Sequence, residues 1–210
     1  MTIYLDLDNT CIDTEKIRRM ESRVAERYGI PPLMYLECAD LACIRDPGVF
    51  SYERVYDMLR EYYADLPRTI IFDLYTVLRM QWFMPYATHF LSKFSKKDIV
   101  LVTSGDSAFQ RMKIETHRIA DYVREIHITN DKTAVITQES PPVFFVDDAP
   151  RHIEAVGRAH PWVTCIRVHE PPLWEVQQET AHPHVYLESL YYVGKYIERS
   201  IRYRQFRAGT

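Results

Sequence analysis

Three short apolar runs, at residues 3–5, 99–102 and 143–146, pass directly into carboxylates or hydroxyls at their C-terminal ends, and the segments between them carry helical patterning. The endings are Asp6, Asp8 and Thr10 in the first, Thr103 and Ser104 in the second, and Asp147 and Asp148 in the third. Strands that are apolar throughout, rather than alternating, are covered on both faces, and strands separated by helices join as a parallel sheet. The pattern predicts an α/β fold whose core is a Rossmann-like, doubly wound parallel sheet. Sheets of this kind bind ligands outside the carboxyl ends of their strands, which is where the polar residues collect. Asp6 and Asp8 make the strongest demand. Two carboxylates so close together repel each other and resist desolvation, so the stretch is either a solvated edge strand with incidental acids or one side of a site that holds a cation.

Between the first two runs lie roughly 70 residues with helical rather than strand patterning, too many for a loop in a compact domain. Asp13 or Thr14 can cap a helix that runs to about Tyr28 and stops at Gly29, with Pro31 and Pro32 preventing its continuation. Further helices are expected at 33–43, at 52–64 behind Ser51 as N-cap, and at 68–81, although 69–72 also reads as a strand; a turn falls at 45–48. Residues 14–84 are thus read as an all-helical subdomain, and 1–13 with 85–210 as the α/β core. In the core, helices at 86–94, 108–117 and 152–158 alternate with strands at 99–102, 125–128, 143–146 and 163–167, and a loop with a weak helix carries Lys132. A loop rich in Pro and His, 169–183, precedes a last helix at 185–204. Lys195, Arg199, Arg202 and Arg204 lie off its apolar stripe; a docking helix with a solvated basic face explains them, with a dimer contact or an RNA-facing patch as alternatives.

A net charge of −3 gives no general basic field for nucleic acid or anionic lipid. Cys11, Cys38, Cys43 and Cys165 form neither a zinc-ligand pattern nor a disulfide framework, which suits a reducing compartment. Asp6 comes too early to leave room for a signal peptide, and no apolar run is long enough to span a bilayer, so a cytoplasmic protein with no membrane partner is expected. The sequence does not give the oligomeric state.

Asp6-Leu7-Asp8-Asn9-Thr10, then Val102-Thr103-Ser104-Gly105, then Asp131-Lys132, then Phe145-Val146-Asp147-Asp148 resemble the four ordered motifs of the haloacid dehalogenase-like superfamily. The helical insertion between the first two looks like the helical cap of one branch of that superfamily. Four carboxylates facing a phosphate dianion concentrate more negative charge than one lysine can offset, and oxygen ligands without a His or Cys pattern favour Mg2+. The resemblance implies that Asp6 is the nucleophile of an aspartyl-phosphate mechanism and that Asp8 is the general acid and base. It implies Thr103 and Lys132 as further catalytic groups, and Asn9, Ser104 and Gly105 alongside them in holding the phosphate. Asp6, Asp8, Asp147 and Asp148 would bind the metal, with Asp8 acting through its main-chain carbonyl and Asp147 the favoured direct ligand. Other readings stand beside these. Thr103 and Ser104 also suit a helix cap, Thr10 a turn, and His152 and Glu154, just past the fourth motif, either support the site from behind or play no part. Lys113 competes with Lys132 but is expected on a helix surface.

The dehalogenases of the superfamily lack the second acid of the first motif, so Asp8 directs the expectation toward phosphoryl chemistry. The expected activity is an Mg2+-dependent phosphomonoesterase acting on a small phosphorylated metabolite, a nucleotide or sugar phosphate, whose non-phosphate part would meet Arg45, Tyr52 and Arg54 of the cap. The alternatives are a phosphotransferase or mutase sharing the first half-reaction, a phosphatase of nucleic-acid ends or proteins, and a phosphate-binding module without turnover.

Overall fold

The computed structural model describes residues 1–45, 49–137, 141–168 and 182–208. The turn expected at 45–48, beyond Arg45, and most of the loop expected at 169–183 lie outside the described residues. The strands are β1 (Thr2–Leu5), β2 (Ile99–Thr103), β3 (Glu125–Ile128), β4 (Val143–Asp147), β5 (Thr164–Val168) and β6 (Val185–Leu187). The helices are α1 (Thr14–Arg27), α2 (Pro32–Arg45), α3 (Tyr52–Arg60), α4 (Thr69–Leu78), α5 (Ala87–Lys93), α6 (Ser107–Thr116), α7 (Pro150–Ala159) and α8 (Leu190–Ala208). None of the described helices is long and apolar enough to cross a membrane. The chain divides into two compact units, one formed by Met1–Ile12, Phe83–Thr103 and Ala120–Thr210, the other by Asp13–Trp82 and Ser104–Ile119.

The first unit is built on one six-stranded parallel sheet in the order β3-β2-β1-β4-β5-β6. Strand β1 sits at its centre, with Leu5 in register with Leu101 of β2 and Val146 of β4. All residues of β1, β2 and β4 are buried, as their unbroken apolar runs require. Tyr4, Val100, Val102, Phe145 and Cys165 pack with Ile153 and Val156 of α7 in one continuous cluster. Helices α5 and α8 pack against each other and bury Phe90, Leu91, Val193 and Ile197. Strand β6 departs from expectation, since a helix was predicted to begin at Val185. The apolar Val185-Tyr186-Leu187 segment instead pairs in parallel with Ile166, Arg167 and Val168, satisfying the open edge of β5. The helix starts only at Leu190, where Val193 donates its N–H to the Ser189 carbonyl at 3.1 Å.

The second unit is all helical. Asp13 caps α1 by accepting from the Lys16 N–H at 2.8 Å, and Ser51 caps α3 by accepting from the Arg54 N–H at 3.3 Å. The segment at 69–72 is helical, because Ile70, Ile71, Leu74, Val77 and Leu78 recur at the spacing of one helix face and are buried together. Helix α6, expected in the α/β core, clusters with this unit. Phe109 meets Phe50 and Tyr52 edge-on at ring-centroid distances of 4.6 and 5.4 Å. His117, just after α6, accepts the Trp82 N–H at Nε2 and donates from Nδ1 to the Lys113 carbonyl, each at 2.8 Å, which fixes a neutral tautomer.

Glu21 of α1 is buried in this helical core, where the Tyr35 hydroxyl donates to one carboxylate oxygen at 3.1 Å and the Tyr52 hydroxyl to the other. Burial pushes the Glu21 carboxyl above its ordinary range, and the two phenols only partly oppose that shift. A raised carboxyl means that the folded chain holds this proton more tightly than the unfolded chain. The resulting stability is complete below the unfolded glutamate value, near pH 4.3, and is lost as the pH rises through the folded value. Glu21→Gln removes the titration while keeping a polar partner for both phenols. Its melting temperature minus that of the wild type should increase as the pH is raised from about 4; a difference constant with pH would remove Glu21 from the ledger of titrating groups.

Candidate active site

Strand β1 delivers Asp6 between its two parallel neighbours, and the Asp6 N–H donates to the Val146 carbonyl at 3.0 Å. Asp6 therefore emerges beside the end of β4, where Asp147 and Asp148 follow. Lys132 joins the two strand ends. Its Nζ lies 2.5 Å from Asp6 Oδ1 and 2.7 Å from Asp147 Oδ2, with all three side chains almost wholly buried. The loop that presents Lys132 is fixed by its own sequence. Asp131 Oδ1 accepts from the Thr133 N–H at 3.0 Å, and Thr129 Oγ1 accepts from the Asp131 N–H at 3.1 Å. The loop is also tied to the sheet and to the segment after α7. The Thr129 N–H reaches the Thr103 carbonyl at 2.8 Å, the Thr137 N–H reaches the Tyr4 hydroxyl at 2.9 Å, and His160 Nε2 donates to the Thr133 carbonyl at 2.9 Å.

Asp147 is held at both oxygens. Oδ1 accepts from the Ala149 N–H at 2.9 Å, and Oδ2 faces His152 Nδ1 at 3.1 Å as well as Lys132. Burial works to raise its carboxyl, but Lys132 and His152 outweigh that and hold it below the ordinary range. Asp6 goes the other way. Burial, with the charges of Asp147 and Asp8, pushes it up to about 7 against the pull of Lys132. Asp148 is also driven well above the carboxylate range, by burial and then by its neighbours Asp147 and Asp6. Lys132 itself stays above the usual lysine range, because the two carboxylates outweigh the burial that would lower it.

One ammonium thus cannot neutralise the carboxylates gathered here, and the surplus falls on Asp6 and Asp148. Ligand oxygens of Asp6, Asp147 and Asp148 lie within 4.8 Å of one another, an all-oxygen set close enough to share one hard divalent cation. The donor set therefore fits Mg2+, which Asp6, Asp148 and Asp147 could hold. Asp147 is the most heavily engaged of the three, with Lys132, His152 and the Ala149 N–H on its oxygens.

Asp8 follows Asp6 by two residues and forms an isolated parallel bridge with Ile12. Strand β1 ends at Leu5, and the chain turns: the Cys11 and Ile12 N–H groups both donate to the Leu7 carbonyl at 2.9 Å, the Asn9 N–H donates to the Ile12 carbonyl at 2.7 Å, and Asn9 has φ of +53°. Asp8 sits in this turn, partly exposed, near enough for its charge to raise Asp6. The Cys11 thiol, buried beside them, is raised well above its ordinary value by burial and by Asp6 and Asp8, and so is kept as a thiol. The Thr10 and Thr103 hydroxyls are completely buried with no hydrogen-bond partner among the described residues. Such groups are costly unless something accepts from them.

No family model matches the sequence, and no curated protein matches it. Solved structures do. A candidate haloacid dehalogenase-like hydrolase from Burkholderia xenovorans superposes with a TM-score of 0.71 at 20% identity, covering 92% of this chain and 96% of that one. The chain has the haloacid dehalogenase-like fold. The candidate hydrolase YfnB from Bacillus subtilis, solved bound to magnesium, shares this fold at a TM-score of 0.60 and 15% identity, over 91% of this chain and 96% of that one. The L-2-haloacid dehalogenase from Xanthobacter autotrophicus does so at 0.65 and 11% identity, over 94% and 98%.

Within this haloacid dehalogenase-like fold, Asp6, Asp8, Asn9, Thr103, Lys132, Asp147 and Asp148 all belong to the sheet unit, whereas Ser104 and Gly105 belong to the helical unit. Neither Thr103 nor Ser104 caps α6. That role falls to Asp106, whose Oδ1 accepts from the Phe109 N–H at 2.8 Å, while Ser104 offers its carbonyl to Gln110 Nε2 at 2.7 Å. Gly105 has φ of +126°, a conformation that suits glycine. Lys113, expected on a helix surface, is buried in the helical unit with its Nζ 5.2 Å from the centre of the Phe109 ring. Tyr52, expected to touch substrate, is a fully buried core residue engaged with Glu21. Arg45 is exposed at the end of α2, and Arg54 donates to the Val49 carbonyl at 3.0 Å.

Two further residues support the site: His152, already one of the supporting candidates, and Arg167, which the sequence reading missed. His152 gains its role only through its contact with Asp147. Arg167, on β5 opposite Asp147, donates from Nε to the Asp148 carbonyl at 3.3 Å and so pins the loop that carries the acids. A charged residue closing an apolar strand next to that loop was its only sequence signal.

Lys132→Met should destabilise the protein by about 3–5 kcal/mol in urea denaturation, because it leaves buried carboxylates without their ammonium. Adding Asp6→Asn should recover part of that loss; a cost below about 1 kcal/mol would mean that the buried triad is not what holds these loops.

Proposed function

We propose that the protein is an Mg2+-dependent phosphomonoesterase that hydrolyses a small phosphorylated metabolite, a nucleotide or sugar phosphate, through an aspartyl-phosphate on Asp6. The observation that carries this reading is Asp6 held at its strand end by Lys132, with a second acid, Asp8, in the turn two residues on. A carboxylate clamped by an ammonium is oriented for attack, and an acid that is not consumed in that attack is what a phosphoryl-transfer site needs and a dehalogenase does not.

In this mechanism an Asp6 carboxylate oxygen attacks phosphorus and the bond to the leaving oxygen breaks, with Asp8 donating a proton to that oxygen. Asp8, now a carboxylate, takes a proton from the water that attacks the aspartyl-phosphate, and Asp6 is released as the phosphorus–oxygen bond to it breaks. Lys132 keeps Asp6 oriented and offsets charge on the phosphoryl oxygens as it shifts. The buried Thr103 hydroxyl donates to one of those oxygens, which gives it the acceptor it otherwise lacks. Bound Mg2+ supplies charge neutralisation that lets an anionic nucleophile approach an anionic substrate. The magnesium bound to YfnB supports the choice of metal. Four free cysteines fit a cytoplasmic setting.

Phosphate release from a panel of phosphorylated metabolites tests the reading. Activity should vanish with EDTA and return with Mg2+. Asp6→Asn should lower turnover at least about 1,000-fold while the circular dichroism spectrum is retained. Chloride release from 2-chloropropionate, or phosphatase activity indifferent to Asp6→Asn, would overturn it. Binding of phosphate esters without release would favour the non-catalytic alternative, and transfer of the phosphoryl group to a sugar acceptor would favour a mutase.

A further inference from the structure

Helix α8 carries five cations, Lys195, Arg199, Arg202, Arg204 and Arg207, against one carboxylate, Glu198, in a chain whose net charge is −3. The carboxylate is already taken, since Lys93 Nζ lies 3.0 Å from Glu198 Oε2. Among the described residues no acid pairs with Arg199, Arg202 or Arg204. The helix buries Leu190, Val193 and Ile197, but from Arg202 to Arg207 every residue is exposed, including Tyr203 at 57% and Phe206 at 72%. The last turns of α8 are therefore a surface rather than part of the core.

The arrangement of these side chains is informative. At about 100° per residue, Arg202, Phe206, Arg199, Tyr203 and Arg207 fall in that order around one side of the helix, with cations and rings interleaved. The Arg207 guanidinium lies 5.1 Å from the Tyr203 ring centre, and Lys195 Nζ lies 4.3 Å from that of Tyr191. A membrane-surface helix separates its apolar and cationic faces, and this one does not. Beside it a cleft of about 570 Å³ is lined by Tyr196, Ser200, Tyr203, Arg204, Arg207 and Thr164. Thr164 opens β5 in register with Phe144, whereas Asp147 stands opposite Arg167 at the other end of the same pair. The cleft thus lies about 10 Å along the strands from the carboxylates, toward the amino ends of the sheet. It is separate from the candidate active site.

We propose that this face of α8 and its cleft bind single-stranded nucleic acid, with the guanidinium groups on phosphates and Tyr203 and Phe206 as stacking platforms for bases. Interleaved cations and rings are what such a strand requires, because its phosphates and its unstacked bases alternate along one path. A duplex hides its base faces and would use only the charges. The site is an accessory one, and it stands whether or not the phosphatase reading does.

Fluorescence anisotropy with a labelled oligo-uridine or oligo-thymidine of about a dozen nucleotides tests it on the full chain. The wild type should bind at low salt, with log K falling against log salt at a slope of about −3 for four phosphate contacts. Replacing Arg199, Arg202, Arg204 and Arg207 together by Gln should cut affinity at least about tenfold and flatten the slope toward zero. Tyr203→Ala with Phe206→Ala should weaken binding about tenfold with the slope kept. All of these positions are exposed, and a preserved melting temperature will show that the fold is kept. The proposal fails if the wild type does not bind, if the arginine variant keeps its slope, or if the aromatic variant keeps its affinity. It fails too if duplex of the same length binds equally well, or if phosphatidylserine vesicles bind the protein and the oligonucleotide does not displace it.

Discussion

The Lys132 ammonium, buried between Asp6 and Asp147, is the interaction on which the rest of the site depends. Taking one cation and two anions out of water carries a desolvation cost of several kcal/mol per ion, and only close contact and further hydrogen bonds offset it. That requirement explains the surrounding framework. Three separate ties hold the Lys132 loop, the Ala149 N–H and His152 complete the shell of Asp147, and Arg167 fixes the backbone of Asp148. Even so, the balance stays on the anionic side, and Asp6 at about 7 and Asp148 above its usual range register the deficit. A site that stabilises its own charge incompletely has the donor chemistry to hold a hard cation.

A parallel sheet is what makes such a cluster possible. Because β1, β2 and β4 run the same way and in register, their carboxyl ends arrive side by side, and residues separated by about 140 positions become neighbours. The same order places the basic end of α8 by the opposite ends of β4 and β5, so one scaffold presents two chemically different surfaces. Separating them lets each keep its own electrostatic character, with surplus anions at one end and surplus cations at the other.

The helical unit solves a different problem. It also encloses an ionisable group, the Glu21 carboxyl, but answers it with two phenols and their aromatic contacts rather than with a close ion pair. The Glu21 carboxyl is therefore raised, whereas Asp147, which has Lys132, is lowered. Burial acts in the same direction on both groups, and the partner decides the sign.

Five of the six described strands, the parallel sheet and the gathering of Asp6, Asp147 and Asp148 near Lys132 were legible in the sequence, because apolar runs and their polar endings are local signals. The helix at Thr69–Leu78 needed only the burial of one face to settle its ambiguity. Val185–Leu187 was misread because an edge strand is defined by the neighbour it pairs with, and that neighbour is distant in the chain. Tyr52 and Lys113 were misplaced for a related reason: a polar tip says nothing about whether its partner is solvent, substrate or a buried glutamate. By itself the sequence determined which carboxylates and hydroxyls gather at the strand ends. Only the tertiary structure decided which of them Lys132 neutralises, since that depends on distances of a few ångströms between groups brought together from remote parts of the chain.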